Sequence, residues 1–404
     1  MFEFYSVFLK IIVKINVKEL IRINKNKYFF LVIFAQNHHK MTKPENDEKI
    51  KIAITQGDIN GIGYEIIIKT LSNPRILELC TPIVYGSSKV ASYHKKTLDL
   101  PDFNLNLVKN AASAIIKRAN IINVYEKEVK IDLGDSTEIA GQLSLLSLEA
   151  AIEDIKQNLV DVLVTAPINK KNIQSSSFSF PGHTEYLANK FNVHDYLMLM
   201  VSNNIRIGVI TGHTPLKEVP SIITEDLILR KIRILNESLI KDFGIRRPRI
   251  AILGLNPHSG DNGVIGNEEQ TIIIPALNKA KEENIFAFGP FASDGFFGSS
   301  SFVHFDGILA MYHDQGLIPF KTLTFDSGVN FTAGLPIIRT SPAHGTAYEL
   351  AGKNQASADS FREAVYLAID IYRNRIQHQT LTAHPLKLTI HDEERPGSEP
   401  KLVL

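Results

Sequence analysis

From residue 49 onward, short apolar runs alternate with amphipathic stretches, and this alternation leaves few architectures open. Residues 49–55, 83–85, 160–165, 205–211, 249–255 and 307–312 read as strands, and 64–71, 143–157, 224–243, 268–283 and 360–375 as helices. A short apolar run bounded by turn residues suits a strand buried on both faces. Its regular exchange with helical periodicity implies parallel βαβ units wound into an open sheet. The expected class is therefore α/β, and 404 residues give room for more than one domain.

Two segments stand outside that pattern. Residues 1–40 carry seven basic and two acidic side chains, whereas the whole chain has 44 basic against 43 acidic, a net charge of +1. The longest apolar run there, 28–35, is far shorter than the ~20 residues that span a bilayer, and it lies too late for a signal peptide. Met41 opens a polar lead-in to the first strand, so residues 1–40 read as upstream sequence and Met41 as the start of the working chain; a short membrane-surface anchor is the rival reading. The far end, from about residue 378, is polar and proline-rich and is expected to pack loosely. The charge balance provides no basic patch beyond residue 40 for nucleic acid, and no segment is apolar enough to span a membrane. The one cysteine, Cys80, can form neither an internal disulfide nor a thiolate cluster, so a cytoplasmic protein is expected.

Three strands end in histidine. Residues 205–211 run into Gly212-His213-Thr214-Pro215, residues 249–255 into Asn256-Pro257-His258-Ser259-Gly260, and residues 307–312 into His313-Asp314-Gln315-Gly316. Open α/β sheets bind ligands at the carboxyl edge of their strands. Three imidazoles there suit a divalent metal with open coordination positions. One histidine among 13 is more often a satisfied loop residue; three at the same kind of strand end require that coincidence three times over. With thiolate ligation excluded by the single cysteine, zinc, cobalt, manganese and magnesium all remain open.

Other segments add to this edge. Beyond His313 lie Lys321, Asn330 and Arg339; the Lys as a point charge and the Arg as a fork suit a phosphorylated substrate, although either alone is commonly a solvated surface charge. Arg339 follows the apolar run 335–338 and is expected at a strand end, near the Gly-rich turn 341–347. Pro181-Gly182-His183-Thr184-Glu185 opens a helix, with Thr184 the expected cap and His183 at the helix start. Gln56-Gly57-Asp58-Ile59-Asn60-Gly61-Ile62-Gly63 is either a tight strand-to-helix turn or an anion-binding one, without the Rossmann glycine spacing. The chain has no G-x-S-x-G, P-loop, H-E-x-x-H or C-x-x-C motif, which disfavours elbow-type serine hydrolases, P-loop NTPases and zincins.

Taken together, Gly182-His183-Thr184-Glu185, Gly254-Leu255-Asn256-Pro257-His258, Ala310 through Gly316, and Gly328-Val329-Asn330 through Arg339-Thr340 resemble the 4-hydroxythreonine-4-phosphate dehydrogenase family of pyridoxal phosphate biosynthesis, over residues 49–376. The resemblance implies two α/β/α domains with a cleft between them, like isocitrate and isopropylmalate dehydrogenases: 48–167 with 345–390 forming the first, 168–344 the second, and 391–404 a tail. It implies a homodimer with its active site at the interface, so that both subunits can contribute ligands. His213, His258 and His313 match the family's metal ligands, and His183, Thr184, Lys321, Asn330 and Arg339 its contacts to a small phosphorylated substrate. Asp294 matches a family aspartate and is offered, with Lys321, for the catalytic step. The implied reaction oxidises C3 of 4-phosphooxy-L-threonine with NAD⁺ or NADP⁺ and one divalent metal, zinc, magnesium, cobalt or manganese. The β-keto acid then loses CO₂ to give 3-amino-2-oxopropyl phosphate. No residue is assigned to the nicotinamide cofactor.

The chain departs from the family pattern at Gln56, Asp58, Ile59 and Asn60, where the common turn has Pro, Glu, Pro and Ala, and at Ala343, where many members are acidic. The nearest rival is a dehydrogenase of a related four-carbon acid without the amine, a 4-phospho-D-threonate or erythronate. A non-catalytic phosphometabolite-binding protein is a second; it would be expected to have lost at least one of the three histidines.

Overall fold

A computed structural model describes residues 49–203, 205–324 and 327–384. The readings made on residues 1–40 and on the tail beyond 384 fall outside the described residues. The strands are β1 (Ile50–Thr55), β2 (Cys80–Gly86), β3 (Asn106–Leu107), β4 (Asn120–Asn123), β5 (Val162–Thr165), β6 (Leu197–Ser202), β7 (Ile205–Thr211), β8 (Arg249–Leu253), β9 (Phe286–Phe291), β10 (Gly307–Tyr312), β11 (Val329–Ala333) and β12 (Arg339–Pro342). The α-helices are α1 (Gly63–Leu71), α2 (Pro74–Leu79), α3 (Ser88–Lys95), α4 (Glu138–Lys156), α5 (His183–Lys190), α6 (Val219–Ile222), α7 (Glu225–Lys241), α8 (Ile274–Glu282), α9 (Ser293–Gly298), α10 (His313–Thr324) and α11 (Asp359–Thr382).

The strands form one sheet in the order β3-β4-β2-β1-β5-β12-β11-β6-β7-β10-β8-β9. Both flanks are parallel as the alternation predicts, but the middle is not: β11 runs antiparallel to both β12 and β6, and β6 antiparallel to β7. The sheet is therefore mixed, a correction to the all-parallel expectation. Both faces are covered, which explains the continuous apolar strands. Ile52 and Ile54 of β1, Ile250 and Ile252 of β8, and Leu309 and Met311 of β10 enter one core with α1, α7 and α11. Their alternates face the other way: Ala53 packs in a cluster with α4, and Ala251, Leu253, Ile308 and Ala310 pack with Phe296, Leu317 and Phe320.

Local chemistry fixes the helices that brace this sheet. Thr224 caps α7 by accepting from the Leu227 amide at 3.2 Å, Glu225 and Asp226 occupy its positive end, and Lys241 its negative end. Its buried face is Ile228, Leu229, Ile232, Leu235 and Leu239, at helical spacing. The predicted helix over 268–283 is broken into a π turn, Glu269–Ile273, followed by α8. Among the described residues, no helix is long and apolar enough to cross a membrane.

The turn between β1 and α1 is the tight one. Gln56 Oε1 accepts from Tyr64 Oη at 2.7 Å, and Asp58 Oδ2 accepts from Asn172 Nδ2 at 2.8 Å and Tyr348 Oη at 2.7 Å. Its polar groups are thus used internally. Gly57 is required there, because its φ is +67° and a Cβ would stand 2.4 Å from the Pro167 carbonyl oxygen.

Candidate active site

A cavity of about 270 Å³ opens where β5, β7, β10 and β12 meet α5 and α10. Its wall gathers residues remote in sequence, including Lys170, His183, Thr184, Glu185, His213, His313, Lys321, Asn330, Arg339 and His344. His213 and His313 reach it from just past the carboxyl ends of β7 and β10, which are paired in parallel. His313, Leu317 and Lys321 are spaced i, i+4, i+8 along α10, so one helix face delivers all three. Seven of the eight metal and substrate positions anticipated from sequence share this wall. His258 does not.

Two local expectations need correction. Arg339 does not end a strand: Pro336 interrupts the apolar run before it, and Arg339 is the first residue of β12. Thr184 does not cap α5. Gly182 holds the cap position without a side-chain bond, and Thr184 Oγ1 instead lies 3.4 Å from Thr332 Oγ1 on β11.

The electrostatics of the wall are unusual. Arg339 is 3 % exposed, and its Nε and Nη2 both donate to Thr165 Oγ1, at 3.1 and 2.8 Å. Nη1 has no partner, and no carboxylate pairs with the guanidinium among the described residues. Burial lowers its pKa to about 10, against a smaller opposing pull from Glu185. His183 Nε2, Glu185 Oε2 and Asn330 Oδ1 are likewise buried without a partner. Burial, with Arg339 and Lys170 nearby, holds His183 well below its ordinary pKa, so the ring is neutral. For Glu185, burial pushes the pKa up, but His213, its own backbone amide and Lys170 outweigh it and keep the carboxyl ionised. Buried polar groups are almost always satisfied, so four orphans around one cavity mark the place of a polar ligand.

The two imidazoles suit a shared metal ion. Their ring centroids are 5.8 Å apart, close enough for both to face one ion. Each ring has a carboxylate at Nδ1: Glu185 Oε1 at 3.4 Å from His213, and Asp314 Oδ1 at 2.7 Å from His313. This assigns the proton to Nδ1 and leaves the Nε2 lone pair for a ligand, the usual carboxylate–histidine–metal arrangement. On His213 that lone pair meets the Lys170 ammonium at 3.0 Å, so a cation already stands where a metal would. Two donors fit. Among the described residues of one chain, however, no group of three metal-binding side chains forms.

His258 lies in a turn after β8, where it, Ser259, Gly260, Asp261 and Asn262 all have positive φ. Five consecutive left-handed residues, four with side chains, are costly and persist only where surrounding contacts enforce them. Glu269, fully buried, braces the entry to this turn: its carboxylate accepts from the amides of Leu255 and Asn256 at 2.8 and 2.7 Å and from Asn256 Nδ2 at 2.9 Å. Asp294, on α9, is also outside the cavity. It lines a separate, mainly apolar groove of about 500 Å³ with Phe297, Ile318, Pro319 and Leu323. Lys170 and Glu185 are wall residues to which the sequence reading gave no role. Lys170 could have been found by the strand-end rule, since it follows β5 by five residues.

Fold and cavity define a class: an α/β protein with a cation-rich cleft at the carboxyl edge of its parallel strands. Comparison with known proteins supplies the family. The sequence model described as "Pyridoxal phosphate biosynthetic protein PdxA" matches residues 78–368. A 4-hydroxythreonine-4-phosphate dehydrogenase from Bacteroides thetaiotaomicron is 52% identical over 357 residues, spanning 88% of this chain and 98% of that protein. One from Sulfurihydrogenibium is 43% identical, spanning 81% and 99%. Among solved structures, a 4-hydroxythreonine-4-phosphate dehydrogenase from Klebsiella pneumoniae superimposes with a TM-score of 0.71 at 33% identity, over 81% of this chain and 99% of that one. The chain belongs to the PdxA family.

Proposed function

We propose that this chain oxidises 4-phosphooxy-L-threonine at C3 with NAD⁺ or NADP⁺, and that the β-keto acid so formed loses CO₂ to give 3-amino-2-oxopropyl phosphate for pyridoxal phosphate biosynthesis. Support comes from the names of the relatives and, independently, from the unpaired Arg339 guanidinium buried in the cavity wall. A phosphate or carboxylate oxygen at Nη1 would complete its hydrogen bonding and neutralise it. Lys321, in no ion pair among the described residues and on the face of α10 below His313, adds a second positive charge for the other anionic group. Neutral His183 and Asn330 offer uncharged hydrogen bonds and fix the carbon skeleton between those two ends.

A divalent ion, zinc, magnesium, cobalt or manganese, would be held by Nε2 of His213 and of His313, with His258 as third ligand. When bound it supplies Lewis acidity, lowering the pKa of a hydroxyl and stabilising an enolate. Glu185 and Asp314 keep the two rings in the ligating tautomer. His258 and Asp294 lie off the cavity wall of their own chain; in a homodimer whose interface carries the active site they serve the second subunit's cavity, Asp294 as proton acceptor.

The test is formation of reduced nicotinamide from 4-phosphooxy-L-threonine, with chelator and then with each metal restored. Turnover abolished by chelator and restored by metal is expected. Absence of turnover with every metal and both cofactors refutes the reading.

A further inference from the structure

We propose that Glu185 is the residue that recognises the substrate's α-ammonium group, and so makes the cavity selective for an amino acid phosphate over the matching hydroxy acid. This rests on the dehydrogenase reading and deepens it. The charges of ligand and cavity match. 4-Phosphooxy-L-threonine carries two anionic groups and one cation. Among the described residues lining the cavity, Glu185 is the sole carboxylate, set against Lys170, Lys321 and Arg339. Its two oxygens have different surroundings. Oε1 faces His213 Nδ1 at 3.4 Å and is used in orienting that ring, whereas Oε2 is buried with no partner.

Among the described residues no lysine or arginine side chain pairs with Glu185, and the Lys170 ammonium, whose charge acts on it, is bonded to His213 Nε2. An ionised carboxylate with one buried, unsatisfied oxygen is expensive unless a cation completes it. A hydroxyl at the same carbon could donate to the carboxylate but would leave its charge unneutralised; an ammonium supplies both the hydrogen bond and the opposite charge. Sites built around a buried polar partner discriminate strongly against ligands lacking it. A cavity meant for phospho-threonate or phospho-erythronate has no need of this carboxylate oxygen.

The experiment compares 4-phosphooxy-L-threonine with 4-phospho-D-threonate, in which the amine is replaced by a hydroxyl at the same C2 configuration, on the full-length wild type and on Glu185→Gln. Two readouts are used: kcat/KM for each acid with metal and cofactor present, and calorimetric Kd for each without nicotinamide. The wild type should prefer the amino acid by tenfold or more. In Glu185→Gln that preference should fall roughly 10- to 100-fold, the range expected for one charged hydrogen bond at a desolvated site. A role confined to orienting His213 would weaken both acids alike, and an unchanged ratio overturns the proposal. Should Glu185→Gln fail to fold, a wild type that binds both acids equally overturns it as well. Absence of wild-type turnover with either acid refutes the dehydrogenase reading itself, a different result from an unaltered preference.

Discussion

Replacing Arg339 by Met should make the ligand-free protein more stable and nearly abolish binding of the phosphorylated substrate. The two effects have one cause. Burial lowers the guanidinium pKa from 12.5 to about 10, which corresponds to about 3 kcal/mol spent on keeping the charge inside. The penalty applies in full at neutral pH, because the group stays protonated well below its folded pKa. Against it stand two hydrogen bonds to Thr165 Oγ1, together worth about 1–2 kcal/mol. Met fills similar volume without the charge, so the variant should gain about 1–2 kcal/mol, or roughly 1–3 °C in thermal midpoint. Binding responds with the opposite sign. An anion at Nη1 makes at least one charge-assisted bond in a desolvated site, and its loss should weaken affinity roughly 100-fold. Thermal unfolding with and without 4-phosphooxy-L-threonine, followed by calorimetry, reads both. An Arg339→Met protein that unfolds earlier than wild type yet binds the ligand as tightly would refute the argument that this charge awaits an anion.

Acid should weaken the fold in a defined window. His94 is 2 % exposed, stacks on Tyr64 with ring centroids 5.2 Å apart, and has its pKa lowered to about 4 by burial despite a bond to the Ile59 carbonyl. A folded pKa below the unfolded 6.5 means stability is complete above pH 6.5 and falls by about 3 kcal/mol as pH drops toward 4. Denaturant midpoints at about pH 7.5 and about pH 5 should diverge in wild type and converge in His94→Gln; parallel curves would count against it. Glu269→Ala leaves three donors without their acceptor and should cost about 2–4 kcal/mol, with faster amide exchange confined first to 255–263. Unaltered exchange there would show that Glu269 does not hold the left-handed turn.

What was legible in the sequence follows from where apolar runs are unbroken. β7 and β10 match their predicted bounds because each is a continuous apolar run closed by a Gly or His turn. The middle of the sheet was not read. β11 and β12 are VNFTA and RTSP, short and rich in Asn, Thr and Ser, and neither alternation nor apolar length marks them as strands. Asn330 and Arg339 sit on those two strands, so their meeting with His183 came from resemblance and not from periodicity. At His258 the strand was legible but the turn was not. The apolar run to Leu255 suggested a strand ending beside the other two, and β8 does pair in parallel with β10, but it stops at Leu253 and the left-handed turn follows. Nothing in Pro257-His258-Ser259-Gly260 announces positive φ at residues other than Gly, and the carboxylate that braces the entry to the turn, Glu269, lies on its far side. Glu185 stood in a quoted motif yet received no role, since an orphaned oxygen is visible only once its neighbours are placed.

On the proposed function, one cavity performs both the oxidation at C3 and the loss of the carboxylate. The most direct measurement incubates carboxyl-labelled 4-phosphooxy-L-threonine with the protein, nicotinamide cofactor and divalent metal, and follows label and reduced cofactor together. Labelled CO₂ appearing one for one with reduced nicotinamide, alongside 3-amino-2-oxopropyl phosphate, is the predicted result. Reduced cofactor without labelled CO₂, or labelled acid left untouched, would contradict it.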